Sequence, residues 1–156
     1  MRYLRFAVVC LIIAASSGLL QAQREKLPPE DLDYVEATWP HAKKTNTGIR
    51  YVIEREGAGM PPKPGDMVGV LYEGRLLRGG VFDQNHDKDH PLTFRLGRGV
   101  VIEGWDQVIQ FIKPGEKRLV IIPPELAYGT RGQPPHIPRD ATLVFEIELI
   151  SVKHDT

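Results

Sequence analysis

Chemistry in a chain of 156 residues needs side chains that can attack, ligate or move a proton. Serine occurs only at 16, 17 and 151, in no G-x-S-x-G elbow and beside no histidine. The single cysteine, Cys10, lies in an apolar run near the start of the chain. HDKDH, residues 86–90, spaces His86 and His90 four apart with Asp87 and Asp89 between them. On a helix that spacing would suit a metal, but Pro91 and the polar neighbours make the segment a solvated loop. LGRG at 96–99 and GTRG at 129–132 lack the further glycine or the lysine of a phosphate cradle. Neither a metal nor a cofactor is expected. What remains is aromatic: Tyr51, Tyr72, Phe82, Phe94, Trp105, Phe111, Tyr128 and Phe145, with Asp83 beside Phe82. A small core needs only a few of these, and aromatics at strand ends beside one carboxylate fit a shallow apolar pocket.

The elements that must position them show as alternation. IRYVIE alternates, MVGVLYEG puts Val68, Val70 and Tyr72 on one face, and PLTFRL does the same for Leu92, Phe94 and Leu96. KRLVIIP and TLVFEIELISV follow, the second with Leu143, Phe145, Ile147 and Leu149 inward and Glu146 and Glu148 outward. Such period-two runs predict half-buried antiparallel strands, separated by the turn segments PPKPGD, LRGG, KPGE and RGQPPHIPRD. Tyr72 is expected to end a strand, and Phe82-Asp83 to open a polar loop. In VVIEGWDQVIQFIKPG the period changes. Val101, Trp105, Val108 and Ile112 recur at helical spacing until Lys113-Pro114-Gly115 ends the run. The expectation is an α+β domain with one short helix whose apolar face covers the concave side of the sheet. Gly104 costs that helix about 1 kcal/mol relative to alanine, which implies a close approach by some other group.

Bulk properties set the class. The chain is 42% hydrophobic and 26% charged, with 20 basic and 20 acidic residues, an ordinary globular composition for one domain plus appendages. Zero formal charge offers no footprint for nucleic acid and no basic face for a membrane surface. Residues 1–22 stand apart. Arg2 and Arg5 precede FAVVCLIIAA, then Ser16, Ser17 and Gly18, the layout of a secretory signal peptide cut after Ala22. The alternative is a retained anchor, for which the uninterrupted apolar run is short of the roughly 20 residues a span needs. Cleavage removes the only cysteine and leaves a formal charge of about −2. Residues 23–46, with Pro28, Pro29 and Pro40, read as an extension with one helical turn around DLDYVEA and Trp39 packing back on the domain.

VLYEGRLLRGGVFDQN, PLTFRLGRGVVIEGWDQ, KRLVIIPPELAYGTRG and IPRDATLVFEIELI resemble successive blocks of the FKBP-type peptidyl-prolyl isomerases, almost without gaps from about Thr47 to Val152. The resemblance implies a half-open antiparallel sheet of about five to six strands wrapped around one short helix, with the domain at 47–154. It implies a pocket with Trp105 as the floor under a substrate proline ring and Tyr72, Phe82 and Phe145 as walls, with Val101 at the side. The Ile102 N–H and the Tyr128 hydroxyl would hold substrate carbonyls, and Asp83 would sit near the rotating amide. Leu92, Ile137 and His136 would complete the substrate-binding set. Leu92, Gln133, His136 and Lys88 depart from frequent family residues at the rim, which bears on peptide preference and macrolide affinity. The implied activity is cis-trans isomerisation of X-Pro bonds in unfolded or exported proteins, by a monomer, with macrolides as further ligands; the short leader favours the bacterial periplasm, with a secreted or secretory-lumen location as the alternative. The alternative is a proline-peptide-binding or chaperone module without turnover.

Overall fold

The computed structural model describes residues 24–154. The leader of residues 1–22 therefore lies outside the described residues. The chain forms a helix α1 (Pro29–Thr38), strands β1 (Lys43–Lys44), β2 (Arg50–Arg55), β3 (Met67–Leu76), β4 (Val81–Asn85) and β5 (Leu92–Arg95). A helix α2 (Glu103–Val108), continued by a 3-10 turn over Ile109–Phe111, precedes β6 (Lys117–Ile122) and β7 (Leu143–Lys153). The strands make one antiparallel sheet in the order β1-β2-β6-β7-β3-β4, with β5 also on β3. β5 pairs with residues 67–70 of β3 and β4 with residues 72–75, so the two are halves of one interrupted edge. The HDKDH segment is the excursion between those halves. The sheet thus has more strands than the alternation suggests, because the two-residue β1 and the polar β4 carry no apolar stripe.

Alternation divides the sheet into two packed faces. Leu143, Phe145, Ile147 and Leu149 of β7, Val68 and Val70 of β3, and Val120 and Ile122 of β6 turn to the concave side. There they meet Trp105, Val108 and Ile109 of α2 and its continuation, all at most 4% exposed. Burying a side chain of this size removes it from water at a gain of about 1.5–3 kcal/mol. α2 is shorter than the spacing predicts. Ile102 is its N-cap with extended backbone (φ −58°, ψ 149°), and the last turn tightens to 3-10 geometry, so Val101 and Ile112 flank the helix. Gly104 explains itself here. A Cβ would lie 2.6 Å from Ile122 Cγ2 and 3.2 Å from the Leu126 carbonyl oxygen. The missing methyl lets α2 sit down on β6.

The convex face carries a second cluster, Leu77, Leu119, Ile121 and Val144, covered by Leu27 and Val35. Val35 belongs to α1, which runs ten residues rather than one turn. Pro29 stands at its first helical position, where the missing N–H is no loss, and Glu30 and Asp31 favour its positive end. Trp39 packs against this cluster, and Arg75 of β3 lies over its ring at 5.8 Å. Glu25 reaches Arg50 with both carboxylate oxygens (3.1 and 3.0 Å) and Lys44 at 2.8 Å. Burial alone would raise the Glu25 pKa, but the hydrogen bonds from Arg50 and Lys44 outweigh it and hold the carboxyl well below the usual range. Among the described residues no helix is long and apolar enough to cross a membrane.

Candidate functional site

Pairing of β3 with both β4 and β7 builds the site. Gly74 of β3 stands opposite Asp83 on one side and Phe145 on the other. A Cβ at Gly74 would lie 2.5 Å from Phe145 Cε1 and 2.9 Å from Phe82 Cζ, so the glycine is the space into which both rings lean. Phe82 and Phe145 meet edge to face at 5.7 Å. Phe145 meets Trp105 at 5.2 Å and Tyr72 meets Trp105 at 5.1 Å, both T-shaped, and Phe94 backs the indole at 6.1 Å. Edge-to-face pairs add about 0.5–1.5 kcal/mol each beyond area burial and fix ring orientation. The result is a rigid aromatic cup.

The cup encloses a cavity of about 170 Å³ bordered by Tyr72, Phe82, Asp83, Leu92, Val100, Val101, Ile102, Trp105, Tyr128 and Phe145. That volume is small beside the roughly 300–1,000 Å³ of sites for drug-sized ligands and admits about one side chain. Trp105, 4% exposed, is at once core residue and cavity wall. The polar rim is organised around Asp83. The Tyr72 hydroxyl donates to Asp83 Oδ2 at 2.8 Å. Burial first, and then this bond to the carboxylate, push the Tyr72 pKa up to about 12. Burial and the Asp83 charge also raise that of Tyr128. Both phenols therefore stay protonated, as donors, at neutral pH.

The loop before α2 is clamped by its own helix. Asp106 accepts the Gly97 N–H on Oδ1 and the Gly99 N–H on Oδ2, each at 2.8 Å. Gly97 and Gly99 take φ of 69° and 68°, a left-handed conformation that favours glycine. This clamp aims Val100, Val101 and Ile102 at the cavity. Because Ile102 is the N-cap, its N–H lies outside the helical ladder, while its carbonyl accepts from Trp105 and Asp106.

Nine of the residues expected in the site thus come together: Asp83, Tyr128, Ile102, Tyr72, Phe82, Val101, Trp105, Phe145 and Leu92. Two do not. Ile137 is 1% exposed in the main core, and His136 is exposed at the tip of the turn closed by Gln133 and Ile137. A loop residue that is apolar and β-branched is drawn under the loop to finish the core. Two expected placements also differ. Tyr72 lies within β3 rather than at a strand end, and Phe82-Asp83 belongs to β4 rather than to a loop. Val100, 64% exposed at the mouth, and Gly74 were not anticipated from sequence. Only the double valine in GRGVVIEGW hints at the first.

Among the described residues no three potential ligands converge on a metal position. His90 Nδ1 lies 2.9 Å from Asp87 Oδ2, and His86 Nε2 3.4 Å from Glu73 Oε2, both on the exposed surface. A larger cavity of about 710 Å³ lies between the β1–β2 hairpin and the 3-10 turn after α2, bordered by Tyr51, Gln107 and Phe111. It contains neither the carboxylate–phenol pair nor the converging rings.

Residues 59–150 match the model of the family described as FKBP-type peptidyl-prolyl cis-trans isomerase. FkpA of Escherichia coli, an FKBP-type peptidyl-prolyl cis-trans isomerase by name, is 45% identical over 111 residues, covering 71% of this chain and 40% of that one. FK506-binding protein 2 of Debaryomyces hansenii is 44% identical over 118 residues, 73% of this chain and 87% of its own. The chain spans only 28% of human peptidyl-prolyl cis-trans isomerase FKBP4, at 44% identity over 141 residues. In structure, E. coli FkpA superimposes with a TM-score of 0.71 at 41% identity, over 80% of this chain and 58% of that chain. A peptidyl-prolyl cis-trans isomerase of Pseudomonas syringae pv. tomato gives 0.71 at 35% identity, over 80% and 92%. A family match over more than half the chain, on the fold and aromatic cup described above, makes this protein a member of the FKBP-type peptidyl-prolyl cis-trans isomerase family.

Proposed function

We propose that the protein catalyses rotation about X-Pro bonds in exported proteins, without a covalent intermediate or a cofactor. The observation that carries this is the 170 Å³ aromatic cup sealed by Trp105 and rimmed by the Tyr72–Asp83 pair. An X-Pro bond rotates over a barrier of about 20 kcal/mol, taking tens to hundreds of seconds uncatalysed. The twisted transition state has lost amide resonance, so its carbonyl is less polarised than in the planar ground state. A proline ring seated on Trp105 brings the amide out of water, which disfavours the polar planar form relative to the twisted one. Donation from the Ile102 N–H and the Tyr128 hydroxyl favours the twisted geometry by differential binding. Asp83 orients Tyr72 and sets the field at the rim. A millionfold acceleration requires about 8 kcal/mol, within reach of desolvation and a few placed hydrogen bonds.

The leader of residues 1–22 supports export, with the bacterial periplasm as the compartment. Proline-bearing segments of unfolded or exported proteins are the substrates, and a macrolide would engage the cup with one ring. A monomer suits an α1 whose apolar face is already covered by its own sheet. The test is refolding of a protein limited by proline isomerisation. The purified protein should accelerate the slow phase at substoichiometric amounts, and Phe82→Ala combined with Asp83→Val should abolish the effect. Suppressed aggregation with an unchanged slow phase would instead identify a holding module.

A further inference from the structure

Two walls of the groove come from chain segments that meet along the sheet. One is the β3–β4 turn, which leads into Phe82 and Asp83. The other is the start of β7, which leads into Phe145. Both are held by a single side chain from outside the domain core, Asp31 in the first turn of α1. Its Oδ1 accepts from the Arg78 guanidinium, and its Oδ2 accepts from the Thr142 hydroxyl at 2.6 Å. Asp31 is 8% exposed and Thr142 3%, so the limb to Thr142 is dry and costly to leave unmade, while the Arg78 side chain, 46% exposed, closes the bridge at the surface. Arg78 is fixed further by donating to the Glu30 carbonyl at 2.6 Å and by lying over the Tyr34 ring at 4.7 Å. The two segments also meet directly, where the Leu77 N–H donates to the Thr142 carbonyl at 3.1 Å and so continues the β3–β7 ladder one step past Leu76 and Leu143. Leu76 and Ala141, beside these anchors, pack on the same core that Phe82 borders.

We propose that Asp31 is a positioning residue of the groove. By holding Arg78 and Thr142 on one carboxylate, it braces the end of the β4–β3–β7 ladder that spaces the Phe82 and Phe145 walls, and with it the fit of the proline side chain. The N-terminal extension then acts as a brace for the site. This rests on the isomerase reading for its kinetic consequences, but the geometry can be read without it.

The experiment compares four variants of the full protein, each at a temperature where it is fully folded. Asp31→Ala removes both bonds, Arg78→Met removes the turn's hydrogen bonds to Asp31 and the Glu30 carbonyl but leaves that of Thr142, and Val35→Ala weakens α1 packing without touching the bridge. Asp31→Ala should raise KM for a proline tetrapeptide by about three- to tenfold with a smaller change in kcat, since small displacements of groove groups are costly. Its Phe82 and Phe145 ring resonances in NMR should shift, while that of exposed Phe111 stays. Arg78→Met should do the same to a lesser extent, and it answers the question should Asp31→Ala fail to fold. Asp31→Asn, which keeps a neutral acceptor for Thr142, should recover part of the KM. Val35→Ala should lower Tm yet leave KM within about twofold. Ring resonances and KM unmoved in folded Arg78→Met and Asp31→Ala would overturn the proposal. So would a KM change in Val35→Ala that matches theirs for the same loss of Tm. If wild-type protein turns over no peptide, the isomerase reading fails, while the ring shifts alone still decide the brace.

Discussion

Replacing Gly74 with alanine tests the idea that the cup is a fitted object. The added methyl would start 2.5 Å from Phe145 Cε1 and 2.9 Å from Phe82 Cζ. Reaching ordinary contact at 3.4 Å requires Phe145 to give way by about 0.9 Å, against neighbours Trp105 and Phe82 that hold it edge to face. Reduced unfolded-chain freedom favours alanine by about 0.4–1 kcal/mol. Overpacking a dense core costs about 1–3 kcal/mol, and the aromatic pairs it disturbs carry about 0.5–1.5 kcal/mol each. The expected net loss is about 1–3 kcal/mol, a fall in Tm of several degrees. The effect on turnover should be larger. A displacement near 1 Å at a groove wall can cost up to about a hundredfold, so kcat/KM should drop about 10- to 100-fold in protein that remains folded. Calorimetry and a peptide isomerisation assay followed by NMR exchange give the two numbers separately. A folded variant with kcat/KM within twofold of wild type would refute the reasoning, because it would show slack between the rings.

Two further outcomes follow from the rim. Ile102 has φ −58°, which proline can adopt, so Ile102→Pro should remove the N–H with little strain at that residue. Peptide isomerisation should fall by at least about tenfold while Ile102→Val stays near wild type; equal activity in the two would exclude a role for the N–H. The Tyr72 pKa is raised from 10.0 to about 12, so the folded protein keeps a proton that the unfolded chain gives up sooner. The stability it contributes is complete below about pH 10 and is lost as pH rises toward 12. Chemical denaturation across that range should show a smaller loss in Tyr72→Phe than in wild type, the remainder coming from Tyr128, and parallel curves would sink the assignment.

Much of this was legible in the chain because burial on one face imposes a period. β7 advertises itself through Leu143, Phe145, Ile147 and Leu149, and α2 through Trp105 and Val108, all of which face the core. The family resemblance then named nine residues that border the cup, of which only the five aromatics stood out by residue type. What escaped had no period to show. β4 is five residues at an edge, largely exposed, and reads as a loop. α1 begins with a proline pair that looks like extended chain until Pro29 is seen at the first helical position. Ile137 sits in a turn yet is buried, a fact set by what lies beneath it. The Asp31–Thr142 bond joins residues 111 apart, and no local signal announces a partner at that distance.

The place of β7 in the sheet has a consequence for how the molecule comes into being. It is the last strand in chain order among the described residues, yet it lies between β6 and β3 and pairs with both. A chain emerging from its N-terminus, whether from a ribosome or through a membrane pore, can form the β2–β6 and β3–β4 ladders but cannot join them. Two half-sheets with open edges wait for residues 143–153. Non-local pairing of this kind is slow and leaves strand edges exposed to other chains. The sheet, and with it the Phe145 wall of the cup, is complete only once residues 143–153 have been delivered.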